Sequence, residues 1–439
     1  MNHNNSDFIA KICEIGEVYV VGGAVRNYLY NCFHNTNKQI KDYDYLVRFV
    51  DIHKLTNILK KFGSIKEVGK SFGILLFTPN GSHNSFEFAL PRTETSIGSG
   101  YRDFIVIPDH TISLDEDFSR RDATINAIGF RIYSLHDVDK LNVAVHRTPN
   151  LEEFVDPFNG IDDIRIKVWR CVGDPHKRFI EDPTRIMRAF RQSAELNLDI
   201  EFETLKSISV NYKLMESLVP QSYVRLFNEL LRFLDTNPTS HRPHLMVMEK
   251  LQILNFLGID SAHDISMDCS IIVKFGMLIR PDEMKIDMKK WCDTRQISAT
   301  NYINPDDVNI LVSIQKYSQD LEEINTRYDL LKLIQKIYGS HRLQYKAIIT
   351  NMSDYLKLTN KISKDHYQKI KLLLTETNTY PPSTDQLAIS GYILMEKWKM
   401  VGKQIKQTKE MLLDKVYLDE IKNNLDDLHY FLSSLNVYK

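Results

Sequence analysis

The chain has 439 residues, 43% of them hydrophobic and 26% charged, with a net charge of −1, which excludes a disordered chain and any global electrostatic footprint for nucleic acid. Its five cysteines (Cys13, Cys32, Cys171, Cys269 and Cys292) are scattered with no Cys-x-x-Cys pair, which argues against a disulfide framework or zinc site and for a reducing compartment. The first residues lack a secretory layout and no apolar run approaches the roughly 18 residues that span a bilayer, so the sequence predicts a cytoplasmic protein with a substantial core divided over several domains.

In chain order, a strand is predicted over 18–21, a helix over 24–32 and a second strand over 43–50. Two further strands, 74–77 and 86–90, are joined through the turn Pro79-Asn80-Gly81. The polar, glycine-bearing run 92–101 reads as a mobile loop, and a helix is expected over 123–129. Beyond Arg165 the strand signals fade and helical apolar spacing takes over, as in Ile186, Ala189, Phe190, Ala194 and Leu196, then over 223–234 and 245–254. Breaks fall near Asn237-Pro238, Arg280-Pro281, Asn304-Pro305 and Tyr380-Pro381-Pro382. The layout is α+β, a small mixed head followed by a long helical body.

The first strand runs into Gly22-Gly23-Ala24-Val25-Arg26. Two glycines there let backbone N–H groups approach a polyphosphate, because no Cβ stands in the way, and Arg26 adds a charge-assisted fork. Sixteen positions on, Asp42-Tyr43-Asp44 places two acids at i and i+2, on one face of a strand. An isolated Asp-x-Asp is most often a solvated pair. Beside a phosphate cradle it suits Mg²⁺ shared between protein and nucleotide, the kit for nucleotidyl transfer. Glu87, on the alternating run Phe86-Glu87-Phe88-Ala89-Leu90, is a possible third carboxylate or simply an exposed strand residue.

Four ordered motifs carry a family resemblance. They are the glycine turn with the acidic pair; Arg120-Arg121-Asp122-Ala123-Thr124-Ile125-Asn126-Ala127; Asp156-Pro157-Phe158-Asn159-Gly160-Ile161-Asp162-Asp163; and Glu181-Asp182-Pro183-Thr184-Arg185-Ile186-Met187-Arg188 with Arg191 in register. Together, over about residues 18–200, they resemble the class II CCA-adding enzymes, tRNA nucleotidyltransferases that share a superfamily with bacterial poly(A) polymerases. Arg225 and Glu229 fit a fifth, helical motif, and Leu387-Ala388-Ile389-Ser390-Gly391 with Gly402-Lys403 is similar to a tRNA-binding tail. One departure is Asn27, where the family usually has aspartate; this position is expected to support the turn and not to bind metal.

The resemblance implies a polymerase β-like nucleotidyltransferase head over 1–155, a helical neck over 156–220, a body over 221–345 and a tail over 346–439. It further implies Mg²⁺ on Asp42 and Asp44, CTP and ATP as substrates and tRNA as the partner. Gly22, Gly23, Arg26, Arg121, Arg188 and Arg191 would meet the triphosphate, and Asp122 or Asn126 the ribose. Asp182 and Arg185, three apart and so neighbours on one helix face, would offer an acceptor beside donors. Cytosine and adenine match that pattern, whereas uracil and guanine would leave buried groups unpaired. An ordinary helix salt bridge is the alternative for that pair. The loop 92–101 corresponds to a segment that helps switch from C to A addition, and Lys403, Lys406 and Lys409 form a candidate RNA-backbone stripe.

The rival within the family is a poly(A) polymerase, and the rival outside it a phosphohydrolase built on His263-Asp264, disfavoured because that dyad sits in a polar run. Gly69-Lys70-Ser71 is not a P-loop, since Ser64 stands where its first glycine is needed.

Overall fold

A computed structural model describes residues 7–40, 42–67, 73–96, 104–142, 148–217, 220–254, 269–285, 287–342 and 344–435. His263-Asp264, Gly69-Lys70-Ser71 and the tip of the 92–101 loop lie outside them. The chain divides into two units, residues 1–260 and 261–439.

The first unit begins with α1 (Phe8–Cys13), β1 (Glu17–Val21), α2 (Gly23–His34), β2 (Asp44–Arg48) and α3 (Ile52–Leu59). Strands β3 (Gly63–Glu67), β4 (Ile74–Pro79), β5 (Phe86–Ala89), β6 (Arg92–Ser96) and β7 (Phe104–Pro108) follow. Next come α4 (Leu114–Ser119), β8 (Gly129–Ile132), α5 (Leu135–Asn142), β9 (Phe154–Val155), α6 (Gly160–Arg165) and β10 (Val168–Trp169). The unit closes with α7 (Pro175–Glu181), α8 (Thr184–Leu196), β11 (Asp199–Ile200), α9 (Phe202–Asn211), α10 (Pro220–Leu234) and α11 (Pro238–Lys250).

Seven strands form a mixed sheet in the order β3-β4-β5-β2-β1-β8-β9. Only the β2–β5 pairing is parallel, with Asp44 opposite Glu87. Strand β1 lies inside the sheet between β2 and β8, and its run of Val18, Tyr19, Val20 and Val21 is buried on both faces, which explains why it reads as continuously apolar rather than alternating. Tyr19, Val21 and Leu46 pack with Leu114, Phe118, Ala127 and Val172 on one side. Tyr45, Phe77 and Phe88 cluster with Phe8, the Tyr45 and Phe88 rings stacking at 4.8 Å.

Three sequence expectations are corrected. Residues 92–96 are not loop but strand β6, paired antiparallel with β7 in a separate two-stranded ribbon. The expected helix over 123–129 is a single 3₁₀ turn, Thr124–Asn126, followed by strand β8, because hydrogen bonding to β1 claims residues 129–132. Helix α11 starts at Pro238, seven residues before its expected start, since the Asn237 side chain caps it and proline fits the first turn.

The second unit is helical among its described residues: α12 (Ile271–Ile279), α13 (Met288–Thr294), α14 (Pro305–Glu322), α15 (Arg327–Ser340), α16 (Tyr345–Leu358), α17 (Lys364–Glu376), α18 (Gly391–Trp398), α19 (Lys403–Tyr417) and α20 (Leu425–Ser434). Proline breaks mark its helix ends: Arg280 closes α12 in the left-handed conformation, and Asn304 caps α14 with Pro305 at its first turn. Lys403 and Lys406 on α19 are exposed and Lys409 is half-buried. No helix among the described residues is long and apolar enough to cross a membrane.

Candidate active site

A cleft of about 600 Å³ opens within the first unit. It is lined by Gly22, Gly23, Arg26, Asp44, Arg121, Asp122, Asp182, Arg185, Arg188 and Arg191, so residues spread over 170 positions of sequence meet in one place. Among the residues expected to bind nucleotide or metal, Asp42 lies outside that lining, as does Glu229 of the fifth motif.

Its first wall is the β1–α2 turn. Gly22 caps α2 with φ +73, a conformation that costs any residue with a Cβ. A Cβ there would stand 3.7 Å from both Arg121 Nη1 and Asp44 Oδ2, so the missing methyl keeps open the space between a cation and a carboxylate. Arg26, one turn into α2, is buried; its Nη1 donates to Asn126 Oδ1 at 2.7 Å, and its Nε and Nη2 donate to Asn27 Oδ1. Asn27 Nδ2 reaches the Gln39 carbonyl, so Asn27 braces the turn as expected. Burial, then the neighbouring Arg191 charge, lowers the Arg26 pKa to about 10.

The second wall is the β2–β5 pair. The expected placement of both aspartates on one strand face is corrected: β2 begins at Asp44, and Asp42 precedes it with φ +54. The left-handed region tolerates aspartate better than most residues. What lies beside Asp44 is Glu87, its register partner, which also lines the cleft. Loss of hydration first, then the charges of Glu87 and Asp42, push the Asp44 carboxyl up to about 6, against the pull of Arg121. Among the described residues no three His, Cys, Asp or Glu side chains are grouped to hold a cation unaided. The carboxylates nevertheless fit a divalent ion, since Asp44 carries repulsion that a cation relieves, and a triphosphate can supply the remaining oxygens.

The floor is the second motif, held in place by the third. Asp122 is buried and accepts from Ala123 N, Asn126 Nδ2, Arg188 Nε and Gln192 Nε2, all at 2.8–3.1 Å. Burial would raise its pKa, but Arg188, the Asn126 amide and Arg185 outweigh it and hold the carboxyl well below the usual range. Arg121 lies on the Phe118 ring and donates to the Asn126 carbonyl at 2.7 Å. Asp156 accepts from Gly160 N and Ile161 N at 2.8 Å, and Asp163 takes the Thr124 hydroxyl at 2.7 Å. A Cβ on Gly160 would fall 2.1 Å from the Thr124 carbonyl; glycine is required for that close approach. The third motif is therefore a brace for the 3₁₀ turn.

The last wall is α8 with its partner α10. The expected placement of Asp182 and Arg185 on one helix face is corrected. Asp182 lies between α7 and α8, and its Oδ1 accepts from Thr184 N at 3.0 Å and Thr184 Oγ1 at 2.6 Å. Arg185 pairs instead with Glu181 at 3.0 Å and with the carbonyls of Arg178 and Arg120. Arg188 and Arg191 share Glu229 of α10, one on each carboxylate oxygen, at 2.9 and 2.8 Å. Asp122 and Glu229 overcome burial and raise the Arg188 pKa.

Sequence reasoning missed several members. Asp117, fully buried on α4, binds Arg120 and the Arg92 amide, and Glu94 joins Arg92 to Arg120. Gln192 bridges Asn126, Asp122 and Trp169. Asp117 carried no signal, being one acid in Leu114-Asp115-Glu116-Asp117. Gln192 was legible as the position after Arg191, one turn beyond Arg188 on the same face.

Residues 18–170 match the poly A polymerase head-domain family. Relatives named multifunctional CCA protein include one from Xanthomonas oryzae, 35% identical over 224 residues that cover 50% of this chain and 45% of the relative. One from Xylella fastidiosa is 32% identical over 243 residues, 54% of this chain and 49% of the relative. The chain thus spans about half the length of these relatives. The Bacillus stearothermophilus CCA-adding enzyme in complex with CTP superposes with a TM-score of 0.70 at 18% identity, over 98% of this chain and 96% of that one. The Thermotoga maritima CCA-adding enzyme complexed with tRNA gives 0.60 at 20% identity, over 98% and 95%. The chain has the fold of CCA-adding enzymes.

Proposed function

We propose that this chain is a template-independent nucleotidyltransferase that adds C, C and A to the 3′ end of tRNA from CTP and ATP, releasing pyrophosphate. One observation carries the reading: the glycine turn, the Asp44–Glu87 strand pair and the arginine-bearing helix α8 line a single cleft. The likeness to multifunctional CCA proteins and to CCA-adding enzymes supports it.

Within that cleft the Gly22-Gly23 turn and Arg121 receive the triphosphate, with Arg188 and Arg191 held behind it by Glu229 and Arg26 bracing the turn. The terminal 3′-hydroxyl of the RNA attacks the α-phosphorus in line and pyrophosphate leaves, with no covalent enzyme intermediate. Family nucleotidyltransferases generally use divalent metal ions; here we take the ion to be Mg²⁺, held by Asp44 and Asp42 with Glu87 beside them. When bound, it acidifies the attacking hydroxyl and offsets charge on the leaving group. Positioning and charge stabilisation supply most of the rate. In this reading Asp122 and Asn126, fixed in the floor, take the ribose, and Asp182 with Arg185 at the α7–α8 junction take the base edge.

The proposed organisation is a head over 1–155, a neck over 156–220, a body over 221–345 and a tail over 346–439, the helical parts meeting tRNA by shape and backbone, in the cytoplasm. Incubation with tRNA lacking its terminus, labelled CTP and ATP tests the reading. Addition of C, C and then A is expected. A ladder of A alone would replace it with poly(A) synthesis, and no incorporation with Mg²⁺ present would end it.

A further inference from the structure

The sheet does not place Asp42. Strand β2 begins at Asp44, and Asp42 stands exposed before it with φ +54, so the chain behind it sets its position. That chain, residues 36–39, is fastened first to α2. Buried Asn31 accepts from Lys38 N and Thr36 Oγ1 at 2.8 and 2.7 Å and donates to the Lys38 carbonyl at 2.8 Å. Asn27 Nδ2 donates to the Gln39 carbonyl at 3.3 Å. The Lys38 ammonium then passes over the Tyr30 ring to the C-terminal end of α8, where it donates to the Glu195 carbonyl at 2.6 Å. The last four carbonyls of a helix lack partners within it, and here each has one. Ser193 takes Leu198 N, Ala194 takes Asn197 N, Leu196 takes the Tyr30 hydroxyl and Glu195 takes Lys38.

An ammonium at a helix C-terminus also meets the negative end of the helix dipole. Glu195 faces two ways: its carbonyl receives Lys38, and its carboxylate takes Arg191 Nη1 at 2.6 Å. One residue thus joins the loop that leads to Asp42 to a guanidinium lining the cleft. Asn27 and Asn31 hold that loop from the α2 side, and Lys38 holds it from the α8 side. We infer that Lys38 is a positioning residue for the ion-binding carboxylate: by fixing residues 36–39 to the end of α8, it keeps Asp42 at a set distance from the arginines of that helix. This rests on the reading of Asp42 as an ion ligand given above and names the side chain that aims it. Without Lys38, Arg191 still has the Glu195 carboxylate, and Arg188 and Arg191 still share Glu229. Its loss should therefore spare the arginines' grip on a triphosphate and weaken what the ion adds.

The test measures CTP affinity of the full chain with Mg²⁺ and in chelator, since the ratio of the two reads what the ion contributes. In Lys38→Met that ratio should fall by about tenfold, while affinity in chelator stays within about twofold; Lys38→Arg should recover part of the ratio. Tyr30→Phe is the control. It strips the neighbouring Leu196 carbonyl of its donor but keeps the ring under Lys38, and it should hold the ratio even where it lowers the melting temperature. Asp42→Asn completes a double-mutant cycle, in which Lys38→Met should add little once the carboxylate is gone. A ratio unchanged by Lys38→Met overturns the inference. So does an equal fall in Tyr30→Phe, or a full further fall when Lys38→Met is added to Asp42→Asn. Should Lys38→Met fail to fold, Lys38→Gln decides, being too short to reach Glu195; a ratio equal to that of the unmodified chain refutes the assignment. If Asp42→Asn lowers the ratio and Lys38→Met does not, the ion site stands and the positioning role falls. If neither lowers it, the reading of Asp42 as an ion ligand falls as well.

Discussion

Asp44 and Glu87 stand directly opposite each other on adjacent parallel strands, two acids in register at one edge of the cleft. Loss of hydration and this neighbour push the Asp44 carboxyl pKa up to about 6 although its side chain still meets solvent. Below that pH a divalent ion must expel a proton to bind, and above it there is none to expel. Ion affinity should fall by up to about tenfold per pH unit below 6 and level off above it, with proton release on the acid side. Calorimetric titration of Mg²⁺ or Mn²⁺ with a nucleotide analogue between pH 5 and 8 checks this; a flat profile contradicts it.

The same shift makes a stability statement. A carboxyl whose pKa is raised on folding binds more protons in the native state, so stability falls as pH rises from about 4 through 6. Asp44→Asn removes that fall. In chelator at pH 7.5 the variant should be more stable by about 1 kcal/mol, discounted for the side chain's contact with solvent, and near pH 4 the two proteins should melt alike. Glu87→Gln should move the acid limb of ion binding to lower pH.

Asp122→Asn should be costly at any pH near neutrality. The carboxylate takes four hydrogen bonds in a buried place, two of them from Arg188 and Gln192 of α8. An amide there turns a donor toward a donor and leaves Arg188 with Glu229 alone. The expected loss is about 3 kcal/mol by urea unfolding. Because its pKa is depressed, the contribution of Asp122 persists above the unfolded carboxylate value and fades only as pH falls well below it.

Gly22→Ala separates folding from function. The added methyl meets nothing closer than 3.7 Å, so the penalty is the backbone's: at φ +73 and ψ −132 it falls outside the left-handed helical well and costs a side chain about 2–3 kcal/mol. Yet the methyl would project between Arg121 and Asp44, where a triphosphate must enter. Stability should drop by that amount while KM for CTP, measured where the variant is fully folded, rises by about tenfold or more; a kinetically silent variant would move the phosphate site elsewhere.

Glu229→Gln leaves two guanidinium groups side by side without their shared carboxylate. Turnover should fall by about tenfold as the arginines lose their aim, with Glu229→Asp restoring part of it. Steady-state kinetics at two salt concentrations reads both effects.

Local pattern made the head legible where chemistry and backbone coincide. The turn at Gly22, the strand pair 74–79 and 86–89, and the buried face of α8 follow from residue type and spacing alone. The cleft-lining motifs were legible as a set. Pairings set by distant segments were not. The Asp44–Glu87 register depends on a parallel crossover, and β8 pairs with β1 from a distant part of the chain. The i, i+3 spacing of Asp182 and Arg185 suggested contact on a helix, but Pro183 follows Asp182, and the chain leaves α7 there and restarts as α8. The ribbon β6–β7 escaped notice because Arg92-Thr93-Glu94-Thr95-Ser96 alternates charge and hydroxyl, with little apolar signal.

On the proposed reading of the base by Asp182, its cap on Thr184 ties letter choice to the start of a helix. Any replacement there loosens the first turn of α8 while it alters which base is admitted, so mutants with relaxed spelling at this position should also be fragile. A screen for sturdy enzymes with altered base preference should therefore return few changes at Asp182, since the helix it caps carries Arg188 and Arg191.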